Sequence, residues 1–246
     1  MNTNQLVLSE SDIRAILRAA DELIAQGGRT LLAKILKGSR EKKILELGLD
    51  ACPVYGYFRA EKLDYVMAKI DWMIDHDFLD ISYRGKLPML VFTERGWMIE
   101  SEQRVEEFLQ EWNLWLEQGK SVPDMYYLKD RNRGMILSFL ERIRETKDQR
   151  YIPFLQAWEK IEYKKVRAEI GDTIRFLGSD EPVNQQTIRD REKSIQEALV
   201  GMEPQDLLIK CMECGNRFTF TVGEQQFFKQ KGFQHPRRCG KCRRNR

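Results

Sequence analysis

Apolar residues recur at helical spacing from the first turns of the chain. Ser9-Glu-Ser-Asp12 reads as a capping box with Asp in place of Glu, and Ile13, Ile16, Leu17, Ala20, Leu23 and Ile24 follow on one helix face. Gly27-Gly28 end that helix. A second runs from Arg29 to Lys37, with Leu32, Ile35 and Leu36 inward and Gly38 at its stop. A third, over 42–47, is closed by Gly48. After a loop holding Cys52-Pro53 and Tyr55-Gly56-Tyr57, residues 60–77 carry the stripe Leu63, Val66, Met67, Ile70, Met73, Ile74. The period then changes to two: a strand over 78–83, a turn at Arg84-Gly85-Lys86 and a strand over 89–93 predict a hairpin, with a new helix from about Glu94. Helices, a last amphipathic helix and a hairpin in this order predict a winged helix-turn-helix.

Residues 119–202 read as helix throughout. Met135, Ile136, Phe139, Leu140 and Ile143 mark one helix. Pro153 opens the next, where its missing N–H costs nothing, with Phe154, Leu155, Trp158 and Ile161 inward. Val166, Ile170, Ile174 and Leu177 mark a third, and residues 187–200 form a mixed-charge fourth. Tyr151-Ile-Pro-Phe-Leu155 followed by Lys165-Val-Arg167 resembles a HEAT-type helical hairpin, which needs neighbours to cover its apolar face. The expected class is mainly α (α+β), in three parts: a winged helix over 6–118, a HEAT-like helical segment over 119–202 and a small module over 207–246.

That last module carries the clearest chemistry. Cys211-Met-Glu-Cys214 and Cys239-Gly-Lys-Cys242 are two Cys-x-x-Cys knuckles separated by twenty-four residues, a spacing that brings four thiolates onto one zinc ion. Phe218 and Phe220 alternate with Thr219 and Thr221 as in a short strand, so a zinc ribbon is expected. His235 falls outside the knuckle spacing and is not counted as a ligand. Cys52, left over, reads as a small buried side chain.

Charge sharpens this division. The net charge is +3, yet from Leu207 onward ten Lys or Arg stand against two Asp or Glu, and the rest of the chain holds 31 basic and 36 acidic residues. Basic charge gathered on a small metal module suits a phosphate-binding surface; here it includes Lys229, Lys231, Arg237, Arg238, Lys241, Arg243, Arg244 and Arg246. No run is apolar enough to span a membrane and no signal peptide is visible, so no membrane partner and a cytoplasmic, reducing location are expected, where thiols bind metal rather than pair.

Four blocks then carry a resemblance: Leu36-Lys-Gly38-Ser, Lys43-Ile-Leu-Glu-Leu-Gly48, Val54-Tyr55-Gly56 and Leu90-Val-Phe-Thr93-Glu-Arg-Gly96. In series they resemble the RQC domain, the winged helix of RecQ-type DNA helicases. The resemblance implies that the wing engages a duplex end and wedges the strands apart. Its tip, Tyr83, Arg84 and Lys86, suits that mode, because the helix over 60–77 sets Asp64, Asp71, Asp75 and Asp77 against Arg59, Lys62 and Lys69. Arg29 and Thr30 at a helix start, with Arg40, Lys42 and Lys43, are further candidates for phosphate contact. The helicase motor is missing, since no Gly-x-x-x-x-Gly-Lys-Ser/Thr loop occurs. The C-terminal residues from Cys211 through Cys214-Gly215, Phe218-Thr-Phe-Thr221, Gly223-Glu-Gln225, Phe227-Phe228, Lys231-Gly-Phe233, Pro236 and Arg238-Cys239 to Cys242-Arg243 resemble a bacterial family of probable zinc ribbons.

A non-enzymatic DNA-binding protein is therefore expected. His76 and His235 sit in no Ser/His/Asp or Cys/His arrangement, and a zinc held by four thiolates has no open position for water. The expected DNA contacts are Arg29, Thr30, Arg40, Lys42, Lys43, Arg59, Lys62, Tyr83, Arg84 and Lys86 on the winged helix, with Arg237, Arg238, Lys241, Arg243 and Arg244 on the zinc module. An RNA- or ribosome-associated factor, and a protein-interaction adaptor working through the helical middle, stand as alternatives.

Overall fold

The computed structural model describes residues 6–85, 87–120, 122–231, 233 and 235–244, with backbone only at 229 and 230. It divides into two compact units: residues 1–97 together with 199–246, and residues 98–198.

The first unit begins with helix α1, Glu10–Asp21, capped as expected by the Ser9 hydroxyl, which accepts from the Asp12 N–H at 3.1 Å. Helix α2, Arg29–Lys37, ends at Gly38, whose φ of +74° closes the helix in the left-handed conformation that glycine adopts without strain. A short α3, Lys42–Glu46, and a 3-10 turn over Leu49–Ala51 lead to α4, Leu63–Asp75. Ile16, Leu17, Leu32, Ile35, Leu36, Val66, Ile70 and Met73 from these helices form one core with no exposed surface. Cys52 is buried beside it, in keeping with its apolar reading.

Strands β1, Leu79–Arg84, and β2, Leu87–Phe92, pair antiparallel with Leu79 opposite Phe92 and Arg84 opposite Leu87. Gly85, at φ +65°, opens the turn between them. This wing is tied to the start of α2 by two backbone bonds, Ala25 N–H to Leu90 O at 3.0 Å and Leu90 N–H to Gly27 O at 2.9 Å. A Cβ on Gly28 would stand 2.8 Å from the Pro88 carbonyl oxygen, so only glycine lets the α2 start approach the wing this closely.

Helix α5, Glu94–Glu117, starts against the base of the wing. Thr93 Oγ1 donates to the Asp77 carbonyl at 2.6 Å and accepts from the Gly96 N–H at 3.0 Å. A Cβ on Gly96 would lie 1.9 Å from the Phe78 carbonyl oxygen, which explains the glycine in the Thr93-Glu-Arg-Gly96 block. The returning chain packs on the same residue, because a Cβ on Gly201 would come within 2.9 Å of the Phe78 ring. Next to it the Met202 N–H donates to the His76 carbonyl at 3.0 Å.

The C-terminal part of this unit is a hairpin of β3, Leu207–Lys210, and β4, Arg217–Phe220, followed by α10, Val222–Lys231, and α11, Gly240–Arg244. Phe220 is fully buried, with the rings of Phe228 and His235 at 5.0 and 5.3 Å. Gln226 Nε2 donates to the Asp75 carboxylate at 3.2 Å, joining α10 to the end of α4.

In the second unit the rest of α5 joins α6, Arg133–Thr146; α7, Ile152–Glu159; α8, Lys164–Leu177; and α9, Gln185–Leu199. Its core is aromatic: Trp112 meets Phe139 at 4.9 Å and Phe154 at 5.4 Å, edge to face, with Trp158 alongside. Arg142 and Arg191 hold the carboxylates of Glu102 and Glu145 together at one side of this core.

Candidate metal centre and nucleic-acid interface

The two halves of the metal site come from two kinds of element. Cys211 follows β3 directly, and the chain turns through Cys214 to Gly215, at φ +73°, before β4 begins. The Cys211 N–H donates to Asn216 O at 2.9 Å and its carbonyl accepts from the Gly215 N–H at 3.0 Å, so the knuckle is locked by its own backbone. Cys239 stands just before α11 and Cys242 lies in its first turn. Helix N–H groups therefore point at the sulfurs, and the Cys239 N–H donates to Cys211 Sγ at 3.3 Å. Met212 N–H to Arg237 O, 2.9 Å, clips the two halves together.

The four sulfurs all lie within 4.8 Å of one another, with Cys214 and Cys239 at 3.9 Å. A tetrahedral zinc with Zn–S bonds of about 2.3 Å requires sulfurs roughly 3.8 Å apart, and this set fits it. The thiols also show why a cation belongs there. Backbone N–H groups of Cys214 and Cys239 hold the Cys211 thiol down at about 6, against the opposing effect of burial. The Cys239 thiol is lowered in the same way by the Cys242 N–H. Cys242, hydrogen-bonded to Cys239 and crowded by its neighbours, is pushed up to about 12. Two lowered thiols converging with two further cysteine sulfurs on one point form a ligand set that a zinc ion would hold as thiolates. Zinc held by all four would be structural, closing the hairpin onto α11.

The expected zinc module is thus present, and its build is a hairpin knuckle plus a helix-borne knuckle. Helix α10 between them carries a signal that the sequence already contains. In Thr221-Val-Gly-Glu224 the Glu224 carboxylate accepts from the Thr221 N–H at 3.0 Å and Thr221 Oγ1 accepts from the Glu224 N–H at 3.3 Å, a capping box.

The candidate nucleic-acid contacts divide by location. Arg29, Thr30 and Lys34 of α2, Lys43 of α3, Tyr83 and Pro88 of the wing and Lys231 at the end of α10 line one cleft of about 530 Å³. Lys34 is absent from the sequence candidates, and Lys231 is named there only within the basic charge of the zinc module; both join the cleft through tertiary packing. Within the cleft Lys34 is paired with Glu41 at 2.7 Å, and Arg29 is paired with Asp71 of α4, whereas Thr30 and Lys43 are exposed.

Other candidates stand apart from it. Arg40 and Lys42 are exposed, Lys42 reaching Glu46 at 3.5 Å. Arg59 lies over Gly38 and Gly56, its guanidinium 3.0–3.5 Å from where their Cβ atoms would be, and its carbonyl accepts from Lys37 Nζ. Lys62 caps the start of α4 without a side-chain bond. Arg84 is exposed at the wing tip, and Lys86 lies outside the described residues. On the zinc module Arg237, Lys241, Arg243 and Arg244 are exposed, while Arg238 is held by Glu213 at 3.1 Å. Arg246 lies outside the described residues.

Lys69, counted among the cations of the long helix, points inward. Its ammonium bonds Asp12 at 3.1 Å and Glu61 at 2.9 Å and sits 4.0 Å from the Phe58 ring centroid. Burial draws its pKa down, but the bonds to Glu61 and Asp12 outweigh that and raise it above the ordinary lysine value. Asp64 and Asp71 remain on the outer part of α4, which keeps that face acidic.

Comparison with known proteins agrees with this geometry. Residues 9–109 match the RQC domain family, and residues 205–246 match the family described as a probable treble clef domain. The hairpin-and-helix build of the zinc module is that of a treble clef. The chain therefore carries an RQC domain followed by a treble-clef zinc-binding domain. Among curated proteins, the ATP-dependent DNA helicase RecQ of Bacillus subtilis (strain 168) is 32% identical over 69 residues, covering 28% of this chain and 12% of that helicase. No solved structure matches the chain. Among the described residues, no helix is long and apolar enough to cross a membrane.

Proposed function

We propose that this chain is a non-catalytic DNA-binding protein that engages duplex ends or forks through its wing, with the treble clef adding phosphate contacts. A DNA-binding role in general is supported by the RQC match and by the similarity to RecQ. The observation that carries the finer reading is the cleft that gathers Arg29, Thr30, Lys34, Lys43 and Lys231 beside Tyr83 of the wing. Three parts of the chain, α2, α3 and α10, bring cations to one side of the hairpin, as a strand backbone running past the wing would require. The acidic outer face of α4 argues against that helix lying in a major groove, where phosphates flank it on both sides. Arg84, exposed beside the turn, supplies charge where a duplex end would meet the wing.

The test is a binding comparison between a forked duplex, a blunt duplex and a closed circular duplex. The full chain is expected to prefer the first two, and Tyr83→Ala with Arg84→Ala to remove the preference while retaining part of the affinity. Equal binding of all three DNAs by the unaltered chain, or tighter binding of RNA, would overturn the reading.

A further inference from the structure

A second cleft, of about 370 Å³, runs along β1, lined by Asp80, Ile81, Ser82, Tyr83, Phe228, Phe233 and His235. We infer that this cleft is the seat for an unpaired nucleobase, from the single strand adjoining a duplex end. The inference rests on the DNA-end reading above and adds a ligand class to it.

Its lining is largely aromatic. The Phe233 N–H donates to the Phe228 carbonyl at 2.8 Å, which pins Phe233 over the end of α10. The Phe233 ring meets Phe228 at 5.7 Å and Phe227 at 6.3 Å, both edge to face, and among the described residues no ring stacks parallel on it. Yet Phe233 is 53% exposed and Phe227 50%. Two phenylalanines held half in water beside a cleft leave apolar surface open to a ligand. The volume is at the small end of the range for small-molecule sites, room for one base rather than a helix.

Its polar groups choose the occupant. Ile81 and Tyr83 line both this cleft and the basic one, and Lys231 of the basic cleft is two residues from Phe233. A strand can therefore keep its phosphates among Arg29, Lys43 and Lys231 while a base turns toward Phe233. Stacking rings next to a cationic track are the combination that holds single strands without regard to sequence. Asp80 would repel a phosphate inside the aromatic cleft; its carboxylate already accepts from the Ile81 N–H at 2.7 Å and has a second oxygen for a base amino group. Ser82 and His235 add hydrogen-bonding edges.

The experiment uses the full chain, zinc loaded, with three fluorescent DNA hairpins: blunt, with a short dA tail, and with an abasic tail of the same length. The unaltered chain is expected to bind the dA-tailed hairpin on the order of tenfold more tightly than the abasic one. Phe233→Leu, which keeps an apolar side chain at the site, is expected to make the two equal and to leave the blunt hairpin unaffected. Equal affinity of the unaltered chain for dA and abasic tails, with the blunt hairpin still bound, would overturn the base seat and leave the duplex-end reading standing. No binding to any hairpin would overturn both. Because the tail comparison involves no substitution, it can overturn the base seat whether or not the variant folds, and a dA preference kept by folded Phe233→Leu would overturn it as well.

Discussion

Arg29, the first residue of α2, is ion-paired with Asp71 of α4, so a cation at the mouth of the basic cleft is already engaged by the fold. Both side chains remain partly exposed, at 25% and 41%, and a phosphate would have to compete with the carboxylate. Asp71→Asn releases Arg29. The expected result is tighter binding to a duplex end and a log–log salt slope steeper by roughly 0.9, one further phosphate neutralised. A salt titration of fluorescence anisotropy measures both, and an unchanged slope would mean Arg29 does not meet DNA.

The exposed cations of α11 are expected to make a separate contribution. Lys241, Arg243 and Arg244 carry charge on one short helix next to the zinc knuckle. Replacing all three by Ala is expected to flatten the salt slope by about 2–3 units while the preference for a fork over a closed duplex persists. Loss of the preference with an unchanged slope would assign the zinc module to shape recognition instead.

The zinc ligands hold a domain that has little else. Among its described residues only Cys211, Phe220 and Pro236 are buried, too few to make a core unaided. Cys239→Ser is expected to abolish zinc binding and unfold residues 205–246 while the winged helix keeps its helical content. The metal supplies on the order of 10–16 kcal/mol to small sites of this type. Metal analysis together with limited proteolysis distinguishes local from global unfolding.

Lys69 is a buried charge whose removal should damage the winged helix. Lys69→Met would leave Asp12 and Glu61 facing each other without their shared cation. The expected loss is toward the lower end of about 3–5 kcal/mol, since both carboxylates keep some contact with water. The pH dependence has a definite sign. A lysine raised on folding contributes stability that is fully present below its unfolded pKa of about 10.4 and is lost as pH rises through the higher folded value. Denaturation of the unaltered chain should therefore steepen above pH 10, and the variant should lack that component.

Gly96→Ala tests the base of the wing. A methyl group 1.9 Å from the Phe78 carbonyl oxygen meets backbone, which cannot swing aside. The cost is expected to be about 3 kcal/mol, read as a fall in Tm of roughly 10 °C. A variant with unchanged Tm would show that α5 is free to slide on the wing.

What could be read in the sequence were the features written in local code. The Ser9 cap, the Gly38 stop, the wing turn at Gly85 and the two cysteine knuckles depend on neighbours a few residues apart, and each is found where its spacing predicts. Helix α10 is written in the same code, since Thr221 and Glu224 spell its cap, but the expected ribbon places no helix there. The remainder is set by contacts across long stretches of chain. Arg29 finds Asp71 forty-two positions away. Lys69 looks like a surface charge in a list of helix cations, but its spacing from Val66, Ile70 and Met73 puts it on the buried stripe, where Asp12 and Glu61 receive it. Nothing local announces that Phe233 stands across a cleft from Tyr83, since hydrophobic pattern reports which side chains turn inward and not which element they meet.

Phe78 joins the two ends of the first unit. Its carbonyl touches Gly96 on the way out and its ring touches Gly201 on the way back. Residues 98–198 thus interrupt, in sequence, a body whose two ends meet on either side of Phe78, with the boundaries lying within α5 and α9. The zinc module, last in sequence, is by this means a near neighbour of the wing, seated through Met202 on His76 and through Gln226 on Asp75. That seat is made wholly by residues of the first unit, so the zinc module and the winged helix are joined without any residue of 98–198.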